Sequence, residues 1–334
     1  MNSKLTTFAI TGAILLTSIN PSYAITQDSV GTTTATTLTS LTLKADTLST
    51  SVLTNVEPLV SNDGSINGFV DGNHVRISSD PNVGISLTRE DKLEFQIATP
   101  NAEHASDAVS IANGIVAYDN KNGSYSAPIA KSDGSIQITT IILGDASPSE
   151  YVFDWSTKFE SNMVLNLDGS VSVQDDAGRV VFAFSPPWAR DADGLAVPTH
   201  YEITGKSLRQ KVFHQGGQFK YPITADPWLG TDLIQSEKWI LRSNLPAISV
   251  TPTLWGRGWT GTSMWGIWWD EFIAKVPTTR LSNGITYSQS SANRNHIRDQ
   301  QNCHLWFATF KDSWNLDLKT IRNDFWDYVF HSCN

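Results

Sequence analysis

Between residues 61 and 227 the chain falls into short runs that alternate apolar with polar positions or are rich in β-branched and other apolar residues. The runs are His74–Ile77, Leu93–Ile97, Ser135–Thr139, Met163–Leu167, Val171–Val173 and Val180–Phe184. Asp63-Gly64, Asp71-Gly72, Asp133-Gly134, Asp168-Gly169 and Ala177-Gly178 stand between them, with the chemistry of tight turns. Short runs at regular spacing, punctuated this way, predict antiparallel strands in a mainly β, sandwich-like domain. Only Glu103–Gly114 reads as a candidate for a short helix there.

The pattern changes at Pro227-Trp228. Ten of the 12 tryptophans and both cysteines lie from Trp228 onward. Lys238–Arg242 and Ala247–Thr251 read as strands. Thr262–Ala274 reads as a helix with Trp265, Trp268, Trp269 and Phe272 on one face. Cys303–Phe307 and Trp314–Leu318 suggest two more strands, and a last helix turns Ile321, Phe325, Tyr328 and Val329 inward. Residues 228–334 are therefore expected to form a small α+β domain. Residues 25–60 differ again, with 11 Thr and 4 Ser in 36 positions. Such composition favours a flexible or loosely packed lead-in. Leu48, Val52 and Val56 alternatively allow a short helix before Pro58.

Residues 1–24 carry the parts of a signal peptide: Lys4, an apolar run from Phe8 to Leu16, and Ser22-Tyr23-Ala24 before a cut after Ala24. The run is shorter than the roughly 18–20 residues a spanning helix needs. A secreted or cell-wall-associated protein with no transmembrane segment in its mature chain is the expectation. In that compartment Cys303 and Cys333 are expected to pair, and no Cys-x-x-Cys pair is present to hold zinc. The net charge of −9 resides in the middle of the chain. Residues 61–227 hold 21 acids and 12 bases, whereas 228–334 hold 9 acids and 10 bases. Nucleic acid is disfavoured as a partner, since phosphate recognition needs a basic surface.

Two resemblances follow from longer motifs. Leu167-Asp168-Gly169 through Phe184-Ser185-Pro186-Pro187-Trp188, closed by Tyr221-Pro222-Ile223-Thr224-Ala225-Asp226-Pro227, resembles the β module of secreted Rhs-type bacterial proteins. That likeness implies a scaffold domain ending at Asp226-Pro227. In the last third, Asp299-Gln300-Gln301-Asn302-Cys303-His304, Trp314-Asn315-Leu316-Asp317 and Cys333-Asn334 resemble an uncharacterised actinobacterial family of secreted domains of unknown function. Ile248–Thr253, Gly256-Arg257, Trp269–Phe272 and Arg322 belong to the same pattern, although Asn323 departs from it. The likeness implies boundaries rather than an activity.

Candidate chemistry is sparse. Trp255, Arg257 and Trp259 form a Trp-Gly-Arg-Gly-Trp loop suited to stacking on a sugar ring while a guanidinium pairs with an anion. His304 with Asp299 or Asp317 offers an acid–base pair for a hydrolase, against the simpler role of satisfying buried backbone groups. No lipase-type elbow, His-Glu-x-x-His or phosphate loop is present. Asp119–Gly123 reads as a turn, because Lys121 takes a position a calcium loop needs for a ligand. No metal and no cofactor are expected. The leading expectation is a secreted binding or scaffold protein, with wall glycan or another extracellular partner. A secreted hydrolase and a toxin-like effector are the alternatives.

Overall fold

The computed structural model describes residues 21–258, 264–276, 279–282, 285–288 and 291–333. Most of the signal-like segment, residues 1–20, lies outside them. The body of the molecule is two antiparallel sheets packed face to face. The first has eight strands, in the order Ser61–Asn62, Ser65–Val70, Asn73–Ile77, Ile85–Thr88, Glu94–Ile97, Glu150–Thr157, Ser207–Val212 and Thr199–Thr204. The second runs Ser161–Leu165, Val171–Asp175, Val180–Phe184, Trp228–Gly230, Ile136–Ile142, Ser124–Ala130, Ile115–Asp119 and Val109–Ala112. Ala189–Arg190 and Ile223–Ala225 extend it beside Ile136–Ile142. Alternate residues of both sheets, among them Ile77, Leu87, Phe95, Phe153, Ile138, Val173 and Phe182, fill one core.

The Asp-Gly turns explain the tightest hairpins. Asp63 and Gly64 both have positive φ (49° and 77°), as do Asp71 and Gly72 (46° and 81°). That pair of left-handed residues is what a two-residue hairpin with matching twist requires. The expected helix over Glu103–Gly114 does not form; the segment turns and then supplies the strand Val109–Ala112.

The Thr/Ser-rich lead-in is a correction to the flexible segment expected. Helix α1 spans Pro21–Leu43 and lies on the outer face of the second sheet. Val30, Thr34, Thr37, Leu38 and Leu41 recur at helical spacing and are buried. The apolar members pack on Ile115, Ala117, Ala127, Ile129 and Ile141. Threonine methyls complete a stripe that a count of strong hydrophobes misses. With α1 on one side and the sandwich core on the other, Ile136–Ile142 is buried along its whole length. Residues 47–56 form turns rather than a helix, and Val52 is buried.

The C-terminal region is α+β, as its periodicity implies. Ile234–Arg242, Leu245–Pro252 and Trp314–Asp317 form an antiparallel sheet. Helices α2 (Leu254–Arg257), α3 (Trp265–Lys275), α4 (Ser291–Phe307) and α5 (Phe325–Phe330) accompany it. A small hairpin pairs Thr279–Ser282 with Ile285–Ser288. Cys303–Phe307 is the last part of α4 and not a strand. The buried positions of that helix include Ile297, Gln300, Gln301, His304 and Leu305, so polar side chains hide its inward face. Cys303 and Cys333 are joined in a disulfide beside Tyr328. Ile321, expected inside, is exposed and precedes the short last helix.

If α1 is part of the core, Leu38→Ala should lower unfolding free energy by about 2–5 kcal/mol, the range for truncating a buried leucine. Urea denaturation measures it. A loss below about 1 kcal/mol would fit a helix resting loosely on the surface.

Candidate functional site

The change of texture at Pro227-Trp228 does not coincide with the edge of the sandwich. Trp228–Gly230 is an interior strand, paired with Ala183-Phe184 on one side and Ile136-Gln137 on the other. The chain leaves the sheet after Gly230. Trp228 and Ala183 belong to the same apolar cluster as Ile248, Val250, Trp255, Trp268 and Trp314, so the C-terminal core is built directly on the outer face of the sandwich.

A relay of hydrogen bonds crosses this junction. The Trp228 indole N–H donates to Ser135 Oγ (2.9 Å), whose hydroxyl donates to Asp133 Oδ1 (2.6 Å). The other Asp133 oxygen accepts from the Trp255 backbone N–H (2.7 Å), at the start of α2. The Trp255 indole N–H returns to the Trp228 carbonyl (3.2 Å). Gly230 makes the approach possible, since a Cβ there would lie 2.3 Å from the Trp255 ring. Next to the relay, the Lys131 ammonium lies 5.6 Å from the centre of the Trp228 ring and donates from Nζ to the carbonyls of Val52 and Thr54. Burial pushes its pKa down to about 7, against the attraction of Asp133.

This arrangement corrects the ligand loop anticipated at Trp255–Trp259. Trp255 is 1 % exposed and offers no face to a ligand. Arg257 is spent internally, pairing with the Asp312 carboxylate (3.2 Å) and donating to its carbonyl (3.1 Å). Trp259 lies outside the described residues. The acid–base candidates are not assembled either. His304 is buried, and its Nδ1 bonds to the Gln300 carbonyl (2.9 Å). Burial lowers its pKa to about 4, and the charges it feels are the cations Lys311 and Arg242. Asp317 pairs with Arg242 (2.9 Å). Asp299 is raised by burial, against the pull of His296 and Arg298.

What the structure does open is a cleft of about 640 Å³ at the same junction. One wall is the sandwich: Asp71 and Gly72 from a hairpin turn, Arg89–Asp91 from a loop, and Asp133. The other is the emerging chain, Thr231, Asp232 and Ile234–Glu237, with Thr253 and Lys275. Six carboxylates line it (Asp71, Glu90, Asp91, Asp133, Asp232 and Glu237) against two cations. Both cations are engaged. Arg89 reaches Asp91 (3.3 Å) and Asp232 (3.5 Å), and Lys275 reaches Asp232 (3.2 Å) and Glu271 (3.1 Å). Burial and the neighbouring Asp133 charge raise the Asp71 pKa. Glu271 accepts from the backbone N–H groups of Leu233 and Ile234 (both 2.8 Å), which fixes the emerging chain to α3. Among the described residues no cluster of His, Cys, Asp and Glu is arranged to hold a metal ion. Sequence reasoning missed the cleft because Asp71 and Asp133 had a sufficient role as turn residues. Its walls also come from segments far apart in the chain.

Residues 234–334 match the family described as Protein of unknown function (DUF2599). The match begins where the first strand of the C-terminal sheet begins, just beyond the junction. No curated protein matches the chain.

The buried neutral His304 gives a signed pH dependence. Its folded pKa lies below the ordinary 6.5, so its protonation favours unfolding. Stability is complete above about pH 6.5 and declines as pH falls toward 4, by up to about 3 kcal/mol at 1.36 kcal/mol per unit. His304→Gln should flatten that part of the curve. Chemical denaturation of both proteins across this range checks it; parallel curves would contradict a buried, neutral imidazole.

Proposed function

We propose that this chain is an exported, non-catalytic binding protein that takes a cationic, hydrogen-bonding ligand in the junction cleft. The observation that carries this reading is the cleft itself. Its volume falls in the range typical of small-ligand sites, and its walls come from two differently built regions clamped together. The excess of carboxylates, with both lining cations already paired, favours a positively charged guest. An amine-bearing sugar unit satisfies both the charge and the many acceptors, in keeping with a cell-wall glycan as partner. Export rests on Lys4, the apolar run to Leu16 and Ser22-Tyr23-Ala24. In this reading the sandwich is a scaffold, as its likeness to Rhs-type β modules implies, and the C-terminal domain completes the site. The hydrolase alternative has no support from the arrangement of His304, Asp299 and Asp317.

Calorimetric titration of the full chain with a glucosamine trimer and with its N-acetylated form tests the proposal. The charged trimer should bind, and the neutral one should bind at least about tenfold more weakly, a difference of about 1.4 kcal/mol. Asp71→Asn combined with Glu90→Gln should remove most of that preference. No binding of either sugar, or binding indifferent to both the acetyl groups and the substitutions, would overturn it.

A further inference from the structure

A second surface lies on the C-terminal domain, away from the residues that line the cleft. The end of α4 presents Trp306 and Phe307, the following turn presents Phe310, and the last helix presents Trp326 and Phe330. Trp306 is the hub. Its ring centroid lies 5.2 Å from Phe307, 5.9 Å from Phe325 and 6.0 Å from both Trp326 and Trp265. Phe330 follows Trp326 by one helical turn, so both lie on the same side of α5. The Cys303–Cys333 disulfide joins α4 to the residues just after α5 and packs on Tyr328. The two elements that carry the aromatic surface are therefore covalently tied.

We propose that this surface seats on the interfacial region of an anionic lipid bilayer, as a peripheral contact. Three observations favour a bilayer over a sugar or a protein groove. Three large apolar side chains in this part of the chain are mostly exposed, Phe330 (83 %), Phe310 (77 %) and Ile321 (64 %), and they carry no polar atom and so cannot hydrogen-bond a glycan. The indoles of Trp306 and Trp326, in contact with each other, are about half exposed, with an apolar body and a polar N–H, the combination favoured where hydrocarbon meets headgroups. Charge is the third. A cation follows two of the three apolar side chains in the chain, Lys311 after Phe310 and Arg322 after Ile321. The nearby carboxylates are engaged within the domain. Asp312 is held by Arg257, Asp324 accepts from the Asp327 N–H, and Asp327 pairs with His331 and Asn323. The acidic middle of the chain, with 21 acids to 12 bases, is repelled by an anionic surface, whereas the C-terminal region is not. The electrostatics thus orient the aromatic face toward the lipid and leave the sandwich in water.

The test is co-flotation of the full chain with vesicles of equal parts palmitoyl-oleoyl phosphatidylglycerol and phosphatidylethanolamine. The wild-type chain should float with the vesicles, and brominated lipid should quench its tryptophan fluorescence. Phe310→Ser combined with Phe330→Ser should reduce partitioning at least about tenfold while the circular dichroism melt stays unchanged, as expected for two exposed positions. Trp326→Ser provides a second variant with the same expected direction. A wild-type chain that stays with the aqueous phase and is not quenched would overturn the proposal. So would folded variants that float as well as the wild type, or retention by purified peptidoglycan with none by vesicles.

Discussion

The junction depends on one short relay, in which Trp228 of the sandwich and Trp255 of the C-terminal region hold each other through Ser135 and Asp133. All four residues are buried, so each donor must find a protein partner or bear the cost of losing water. The geometry needs Trp228 in an interior strand, Trp255 at a helix start and no side chain at position 230. Those conditions place the emerging chain against the Asp71 hairpin and the Arg89 loop, and the cleft is the space left between them. Beside the relay, Lys131 places its ammonium 5.6 Å from the centre of the Trp228 ring and bonds the carbonyls of Val52 and Thr54 in the N-terminal segment. Three stretches of very different composition thus converge on one buried point.

This convergence explains why composition is a poor guide to cooperativity here. The shift at Pro227-Trp228 is real as a change in residue usage, yet the tryptophan that starts the new texture completes the sandwich sheet. Its indole then serves the next core, together with Ala183 from a neighbouring strand. The C-terminal region also has its own staple in the Cys303–Cys333 disulfide, which ties α4 to the chain's end. Closing a loop of that length contributes on the order of 3–4 kcal/mol by chain-entropy reasoning. The relay holds this stapled unit to the sandwich, and the disulfide holds the far side of the unit together.

Much of the β architecture was legible from local chemistry. Asp63-Gly64 and Asp71-Gly72 announce left-handed turn residues, the run at His74–Ile77 shows the period of a strand with one buried face, and Val180–Phe184 is apolar throughout and buried from Val181 onward. The helices were harder to read where their inward faces are not conventionally apolar. Thr34 and Thr37 complete the buried stripe of α1, and Gln300, Gln301 and His304 occupy buried positions of α4. The sites were the least legible. Trp255 has the loop-like flanks of a ligand platform, but Gly256 and Gly258 are needed for close packing: a Cβ at the first would meet the Leu233 carbonyl at 2.6 Å, and one at the second the Trp228 ring at 3.2 Å. Exposed aromatics occur instead at Trp306 and Trp326, to which the sequence pattern assigned no binding role.

The central claim is that the sandwich and the C-terminal region are one cooperative unit joined at the relay, and Gly230→Ala tests it most directly by scanning calorimetry. The added methyl must displace the Trp255 ring, an overpacking cost of about 1–3 kcal/mol. The account predicts a single transition in the wild type and a single, lowered transition in the variant, with tryptophan fluorescence and far-ultraviolet dichroism moving together. Two separate wild-type transitions, with the substitution shifting only one or neither, would contradict it.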